Sequence, residues 1–300
     1  MNSFLALFPH AWLTRLTSFS VIALIMIGVT NTPRVMASES PASNNIKQVL
    51  IFGVVPQQST AQLAKLWPPI LAALSQGANY ELQFSTAPDI PTFEARLKAG
   101  VYDVAYLNPY HYIVFHEFPG YQALAREKNK KLKGIVVVRK DSPIKSLEQL
   151  EGKTLAFPAP ASFAASVLPR AYLKNAKINV DVKYVGSHDS VYLSVIQGLV
   201  DAGGGVQRTF NNLTDTQKQQ LNILWKTPEY TPHAIATHPR VSEVHRQALL
   251  EQFLKLSTTP AGQVLLSSVD FSAFTAGEDK DWDDIRSLSL GSLSKPLGEK

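Results

Sequence analysis

The chain has 300 residues, 45% hydrophobic and 18% charged, with a formal net charge of +5 and no cysteine. That length suits one large domain or two ordinary ones, and the composition supports a packed core. The missing thiols exclude a disulfide scaffold, a thiolate metal site, a cysteine nucleophile and a lipid-modified N-terminal cysteine.

Residues 1–37 hold Arg15 and Arg34, no acidic residue, and the apolar run Phe19 to Val29. Val35-Met36-Ala37 supplies a small-residue cleavage site before Ser38. This reads as a secretory signal peptide; the alternative is an uncleaved anchor, for which the run is short. Its removal takes two basic residues and leaves a charge of about +3, so the balance gives no argument for a nucleic-acid partner. An exported chain without cysteine fits a bacterial periplasm.

After a polar leader, Val49 to Val55 is a continuous apolar run, the pattern of a strand buried on both faces. A helix follows with Leu63, Leu66, Ile70, Leu71 and Leu74 on one side, and Pro68-Pro69 should break or kink it. Tyr80 to Ser85 alternates as a strand. Asp89 to Ala99 reads as a helix stopped by Gly100. Val104 to Leu107 is a strand ending in Asn108-Pro109, a cap followed by proline at the first helical position, and the helix Tyr110 to Glu117 comes next. Gln122 to Ala125 is extended. This β-α-β-α-β-α order implies parallel strands with right-handed crossovers.

Lys128-Asn129-Lys130-Lys131-Leu132-Lys133 looks like a solvated connector. Gly134 to Arg139 is a strand, Ser146 to Leu150 one helical turn closed by Gly152, and Thr154 to Phe157 another strand. Ser162 to Leu173 reads as a helix with Pro169 awkwardly inside it. Val182 to Val185 is a short strand that runs through Gly186 into Ser187-His188-Asp189-Ser190 and a helix carrying Val191, Val195 and Ile196. Leu199 to Ala202 is a strand, with Gly203-Gly204-Gly205 after it as a turn or a point of close approach for a backbone or ligand. Strands at Ile223 to Trp225 and His233 to Thr237 and helices at Val244 to Leu256 and Gly262 to Val269 complete the order. The last twenty-odd residues read as polar and loose.

Four strands end in polar capping residues before a helix: Gln57 and Ser59, Asn108, Ser162 and Ser187. In parallel α/β sheets such ends share one edge, and ligands bind outside it. Helix N-termini carry unpaired N–H groups and partial positive charge, so a cleft lined by them suits an anion. For any single stretch, Ser187 included, the alternative is a plain cap. Tyr106 to Tyr112 makes a second candidate ligand wall, the alternative being core tyrosines with satisfied hydroxyls. No G-x-S-x-G, H-E-x-x-H, P-loop or complete G-x-G-x-x-G occurs. A metal set from His111, His116, Glu117, His188 and Asp189 is disfavoured, since residues five apart on a helix point about 140° from each other.

Several segments resemble the phosphate/phosphite/phosphonate-binding proteins of bacterial ABC importers (PhnD-like), within the type II periplasmic binding proteins: F-G-V-V-P at 52–56, L-K-A-G-V-Y-D-V-A-Y at 97–106, D-S-P-I-K-S-L-E-Q-L-E-G-K at 141–153, P-A-S-F-A-A-S-V-L-P at 160–169, G-S-H-D-S-V at 186–191 and G-L-V-D-A-G at 198–203. The resemblance spans roughly residues 48–260. It implies an α/β fold of two lobes, 46–131 plus 230–300 and 132–229. Each lobe would be a mostly parallel sheet flanked by helices, and the lobes would join through a two-strand hinge at the Gly134 and His233 strands. Ligand would close them, and a membrane partner would read the closed form.

The resemblance also implies a non-enzymatic periplasmic protein, a monomer without cofactor or metal. It would clamp a small oxyanion (phosphonate, phosphite or phosphate) and deliver it to an ABC permease; the alternative partner is a membrane histidine kinase or cyclase. His188 matches the family's phosphoryl-contacting histidine. The family's Ser-Thr-Ser-Gly stands here as Ser162-Phe163-Ala164-Ala165, so two hydroxyl donors are lost and Phe163 is expected to face a more apolar ligand. Expected ligand-binding residues are Ser162, Ser187, His188 and Ser190 from one lobe and Gln57, Tyr106, Asn108 and Tyr110 from the other. Asp189, whose charge would repel an anion, is assigned structural support. The loop after Asp201 offers no carboxylate for the ammonium of an aminoalkyl phosphonate.

Overall fold

A computed structural model describes residues 47–288; the signal-peptide reading of residues 1–37 lies outside them. Eleven strands form two sheets. The strands are β1 (Gln48–Val54), β2 (Tyr80–Ser85), β3 (Val104–Leu107), β4 (Gln122–Glu127), β5 (Gly134–Arg139), β6 (Thr154–Phe157), β7 (Asp181–Tyr184), β8 (Ala202–Val206), β9 (Leu221–Lys226), β10 (Ala234–Thr237) and β11 (Phe274–Ala276). The helices are α1 (Thr60–Leu74), α2 (Ile90–Lys98), α3 (Pro109–Glu117), α4 (Leu168–Asn175), α5 (His188–Ile196), α6 (Gln207–Asn211), α7 (Asp215–Gln219), α8 (Glu243–Leu256), α9 (Pro260–Ser267) and α10 (Asp283–Arg286).

The first sheet runs β11-β4-β10-β3-β1-β2 and the second β7-β6-β8-β5-β9. Parallel pairing holds within β2-β1-β3 and within β7-β6-β8. The other pairs are antiparallel, β10 with β3 and β4, β11 with β4, and β5 with β8 and β9. The expected mostly parallel character therefore belongs to the βα-built part of each sheet. The four strands beside the passages between the sheets, β4, β5, β9 and β10, all pair antiparallel with each other or with β3 and β8, and β11 adds an antiparallel edge at β4.

The chain passes between the sheets twice, at 128–133 and 227–233. The two passages touch as a pair: Leu132 N–H donates to Tyr230 O at 2.8 Å and Tyr230 N–H to Leu132 O at 3.0 Å. The Gly134 and His233 strands were expected to be the crossings themselves. Instead β5 lies wholly in the second sheet and β10 wholly in the first, and the crossings are the segments just before them. The lysine-rich connector is thus one of two hinge passages.

One apolar cluster packs the first sheet with α1, α2, α8 and α9, and it continues into Phe163, Ala164, Ala165 and Val206 of the second-sheet region. Smaller clusters cover the two faces of the second sheet. Pro68 and Pro69 do not interrupt α1. Its buried face (Leu63, Trp67, Ile70, Leu71, Leu74) holds it, and Ala64 and Lys65, whose carbonyls lose their partners to the prolines, are exposed to water.

Three further readings change. Ser162 to Leu173 is not one α-helix: residues Phe163–Val167 form a π-helical turn, after which α4 starts with Pro169 in its first turn, where a missing N–H costs nothing. Gly203-Gly204-Gly205 is the middle of buried β8 rather than a turn after a strand. A Cβ on Gly204 would lie 1.9 Å from Ala165 O, and one on Gly134 of neighbouring β5 2.0 Å from Ala164 O. The glycines let the π turn sit directly on the sheet backbone, so the close approach is by the protein itself. Finally, residues 274–288 are structured. Trp282 is fully buried and its indole N–H donates to Pro232 O at 2.9 Å.

Candidate functional site

Four helix starts converge at the boundary between the sheets. Ser59 caps α1, accepting from Gln62 N. Asn108 caps α3, accepting from His111 N at 2.8 Å. Ser187 caps α5, accepting from Ser190 N at 3.1 Å. Ser162 precedes the π turn, its carbonyl taking Ser166 N–H at 2.7 Å and Val167 N–H at 3.1 Å. The backbone N–H groups of residues 163–165 come before the first of those bonds, so they have no partner within the helix.

Ser162 and His188 meet directly, with Oγ 3.3 Å from Nε2, and both are buried. His188 Nδ1 lies 3.0 Å from Thr209 Oγ1. Thr209 in turn faces Tyr192 OH at 2.9 Å and donates to Val206 O at 3.1 Å. Burial pushes the His188 pKa down to about 3, so the ring is neutral. With the Thr209 hydroxyl proton on Val206 O the hydroxyl accepts from Nδ1–H and Nε2 presents a lone pair toward Ser162; if that proton turns to Nδ1, Nε2 presents an N–H. Such a ring suits hydrogen bonding better than proton abstraction, since it is a weak base.

The first-sheet side closes on this pair. His188 N–H donates to Gln57 O at 3.1 Å, and Gln57 Nε2 is 3.0 Å from His233 Nε2. Asn108 Nδ2 donates to Ala161 O at 3.2 Å, one residue before Ser162. Tyr106 stacks on His233, with ring centroids 4.9 Å apart. The structure therefore brings Ser162, His188, Gln57, Asn108 and Tyr106 into one connected patch. Ser187 and Ser190 turn toward each other, Oγ to Oγ 2.9 Å, which leaves the plain-cap reading standing for Ser187, with Ser190 the residue it caps. Tyr110 is half-buried and packs against the core of the first sheet. Phe163 does not face a ligand space; it is buried edge-on against Tyr230 of the second hinge passage, 5.5 Å between centroids. Asp189 does act as support: its carboxylate accepts from Ser59 N–H at 3.2 Å across the boundary, and burial raises its pKa.

Arg208 was missed by the sequence reading. It follows β8 and reaches across to the first sheet, donating to Tyr106 OH at 2.7 Å and pairing with buried Glu127, with Asp270 4.0 Å away and the Phe271 ring beneath it at 4.5 Å. Burial raises the Glu127 pKa, and the Arg208 charge opposes that rise. The nearest signal was an arginine two residues past a strand's C-terminal end; its partner lies 81 residues away, beyond any local pattern.

Metal ligation finds no support among the described residues, where no group of three or more candidate ligands comes together. His111 faces Glu94 at 2.9 Å, His116 Nδ1 donates to Tyr121 O, and His188 serves Ser162 and Thr209.

Residues 52–282 match the model of the family described as ABC transporter, phosphonate, periplasmic substrate-binding protein. The chain is 24% identical to the phosphonates-binding periplasmic protein of Escherichia coli, over 84% of this chain and 79% of that one. It is 22% identical to the phosphate-import protein PhnD of Mycolicibacterium smegmatis, over 70% and 72%. Among solved structures, the Prochlorococcus marinus protein PhnD1 in complex with methylphosphonate superposes with a TM-score of 0.74 at 19% identity, covering 83% of this chain and 99% of that one. The same two-sheet, helix-flanked fold is thus shared.

Proposed function

The chain belongs to the periplasmic substrate-binding proteins of phosphonate ABC transporters, and on that premise we propose that it clamps a small phosphorus oxyanion between its two lobes and hands it to a membrane permease. The lobes are 46–131 plus 230–300 and 132–229. The ligand sits at the Ser162–His188 contact. Ser162 Oγ, His188 Nε2 and the N–H groups of 163–165 bind phosphoryl oxygens from one lobe, and Asn108, Gln57, Tyr106 and Tyr110 close from the other. Ser187 and Ser190 hold the start of α5 in place.

The observation that carries this reading is the buried Ser162–His188 pair at the meeting of helix starts from both sheets. Neutral donors with positive helix ends and no carboxylate in hydrogen-bonding contact with that pair favour an oxyanion over a cation. The names of the relatives support phosphonate or phosphate as the class. Membership of a transporter family favours delivery to a permease over reporting to a kinase or cyclase.

Calorimetry and thermal shift with phosphate, phosphite and methylphosphonate test it. At least one should bind with micromolar or tighter affinity, about 8 kcal/mol. His188→Ala should weaken that binding at least tenfold, since a hydrogen bond to a charged group contributes about 1.5–3 kcal/mol. No response to any of the three, or an unaltered His188→Ala, would refute it.

A further inference from the structure

A cavity of about 360 Å³ opens beside the two hinge passages, lined in part by Lys130, Lys131 and Lys133 of the first and by His233 of the second. Neither Ser162 nor His188 lines it, and it adjoins the site described above through His233 and Arg208. His233 touches Gln57, whose carbonyl holds His188, and Arg208 lines both this cavity and the small space beside Tyr106 and Trp67. Its walls are not hydrogen-bonded out. His233 is only 4% exposed, yet its Nδ1 has no hydrogen-bond partner; the same holds for Gln207 Oε1, Arg208 Nε and Asp270 Oδ2. Buried polar atoms without partners are rare in native proteins and each calls for an explanation. Arg208 Nε and Asp270 Oδ2 face each other as an ion pair at 4.0 Å, so His233 Nδ1 and Gln207 Oε1 are the two that mark the cavity as a place for a polar guest.

Charge selects the guest. The lining carries Lys130, Lys131, Lys133 and Arg208 against two carboxylates, Glu229 and Asp270. Glu229 is taken by Lys133 at 2.6 Å, and Asp270 lies 4.0 Å from Arg208. Lys130 and Lys131 are in none of the ion pairs of this region, which join Lys133 to Glu229 and Arg208 to Glu127 and Asp270. Lys131, together with Lys130, whose charge also acts on Glu127, can attract an anion into a partly enclosed space where screening is weakened.

We infer that the hinge-side cavity receives a second acidic group of the bound molecule, a carboxylate or a further phosphoryl group, so that the ligand class is a phosphonate acidic at both ends. This rests on the reading of the preceding subsection, with the first phosphoryl group at Ser162 and His188. The second group would meet Lys130 and Lys131, with His233 Nδ1 as a donor on the inner wall.

The test is calorimetry on the mature chain at physiological salt with methylphosphonate, 2-aminoethylphosphonate and phosphonoacetate. Phosphonoacetate should bind at least tenfold more tightly than methylphosphonate, and aminoethylphosphonate more weakly than either. In the double variant Lys130→Glu/Lys131→Glu, whose changes lie at half-buried and exposed positions and spare the core, the preference for phosphonoacetate should disappear. Equal binding of phosphonoacetate and methylphosphonate, tighter binding of aminoethylphosphonate, or an unaltered preference in the double variant overturns the inference while leaving the oxyanion site intact. Failure of all three compounds to bind overturns the oxyanion site itself.

Discussion

The boundary between the sheets has two corners of opposite character. At one, Ser162, His188, Thr209 and Asn108 form a buried network without a formal charge. At the other, Arg208, Glu127 and Asp270 bring full charges to the edge of the lysine-lined cavity. Both corners follow directly from elements of the second sheet, the first from the π turn and α5, the second from the residues after β8. A neutral corner leaves its donors to be claimed by an anion. A charged corner holds its two sides together and stakes far more on each partner, because a buried charge that loses its mate is costly while a lost neutral hydrogen bond is modest.

The largest effect should follow from breaking the charged corner. Arg208→Met leaves the Glu127 carboxylate, 3% exposed, without its cation. Stability should fall by about 3–5 kcal/mol, read as a lower urea midpoint. Adding Glu127→Gln should restore most of it. If the single and double variants melt alike, the pair is not what stabilises this corner.

The neutral corner should reveal itself in acid. A buried histidine whose folded pKa is about 3 takes up its proton mainly when unfolded, so stability is lost as pH falls below the unfolded value near 6.5 and the loss grows until about 3. At pH 5 this amounts to about 2 kcal/mol for His188; His233, also pushed well down by burial, adds to it. Stability curves from pH 7 to 4 should be flatter for His188→Asn than for the parent. Equal slopes would mean that His188 is not buried neutral.

Smaller changes separate binding from folding. Ser162→Ala should weaken oxyanion affinity about tenfold, the effect of about 1.5 kcal/mol, with little change in melting temperature. Asp189→Asn keeps an oxygen to accept from Ser59 N–H but removes a negative charge at the start of α5. It should tighten oxyanion binding by about two- to fivefold, within the 0.3–1 kcal/mol typical of charges at helix ends. Tighter binding by the parent would place the anion away from α5.

Much of the scaffold was legible because its signals are local. Apolar runs bounded by Ser59, Asp89, Asn108 and Ser187 gave strands and caps close to where they lie, since cap chemistry acts over three residues. The glycine strand β8 was not legible, because glycine disfavours strands on average and is needed here for distant neighbours, Val191 and Tyr192 of α5 pressing on Gly203 and Gly205 and the carbonyl of Ala165 on Gly204. The stretch around Trp282 looked loose because its polar residues hide one large side chain that fills the core. At the site, the Ser162 and His188 pair came from motif resemblance, and Arg208 did not come at all. Its meaning depends on Glu127 and Asp270, which only the hinge brings near.

A crystal structure of the chain grown with methylphosphonate tests the central claim most directly. The account predicts phosphoryl oxygens within about 2.7–3.2 Å of Ser162 Oγ, His188 Nε2 and the N–H groups of 163–165, with the ligand enclosed between the two sheets. Methylphosphonate held only by surface lysines, or anywhere outside that boundary with the Ser162–His188 contact intact, would contradict it.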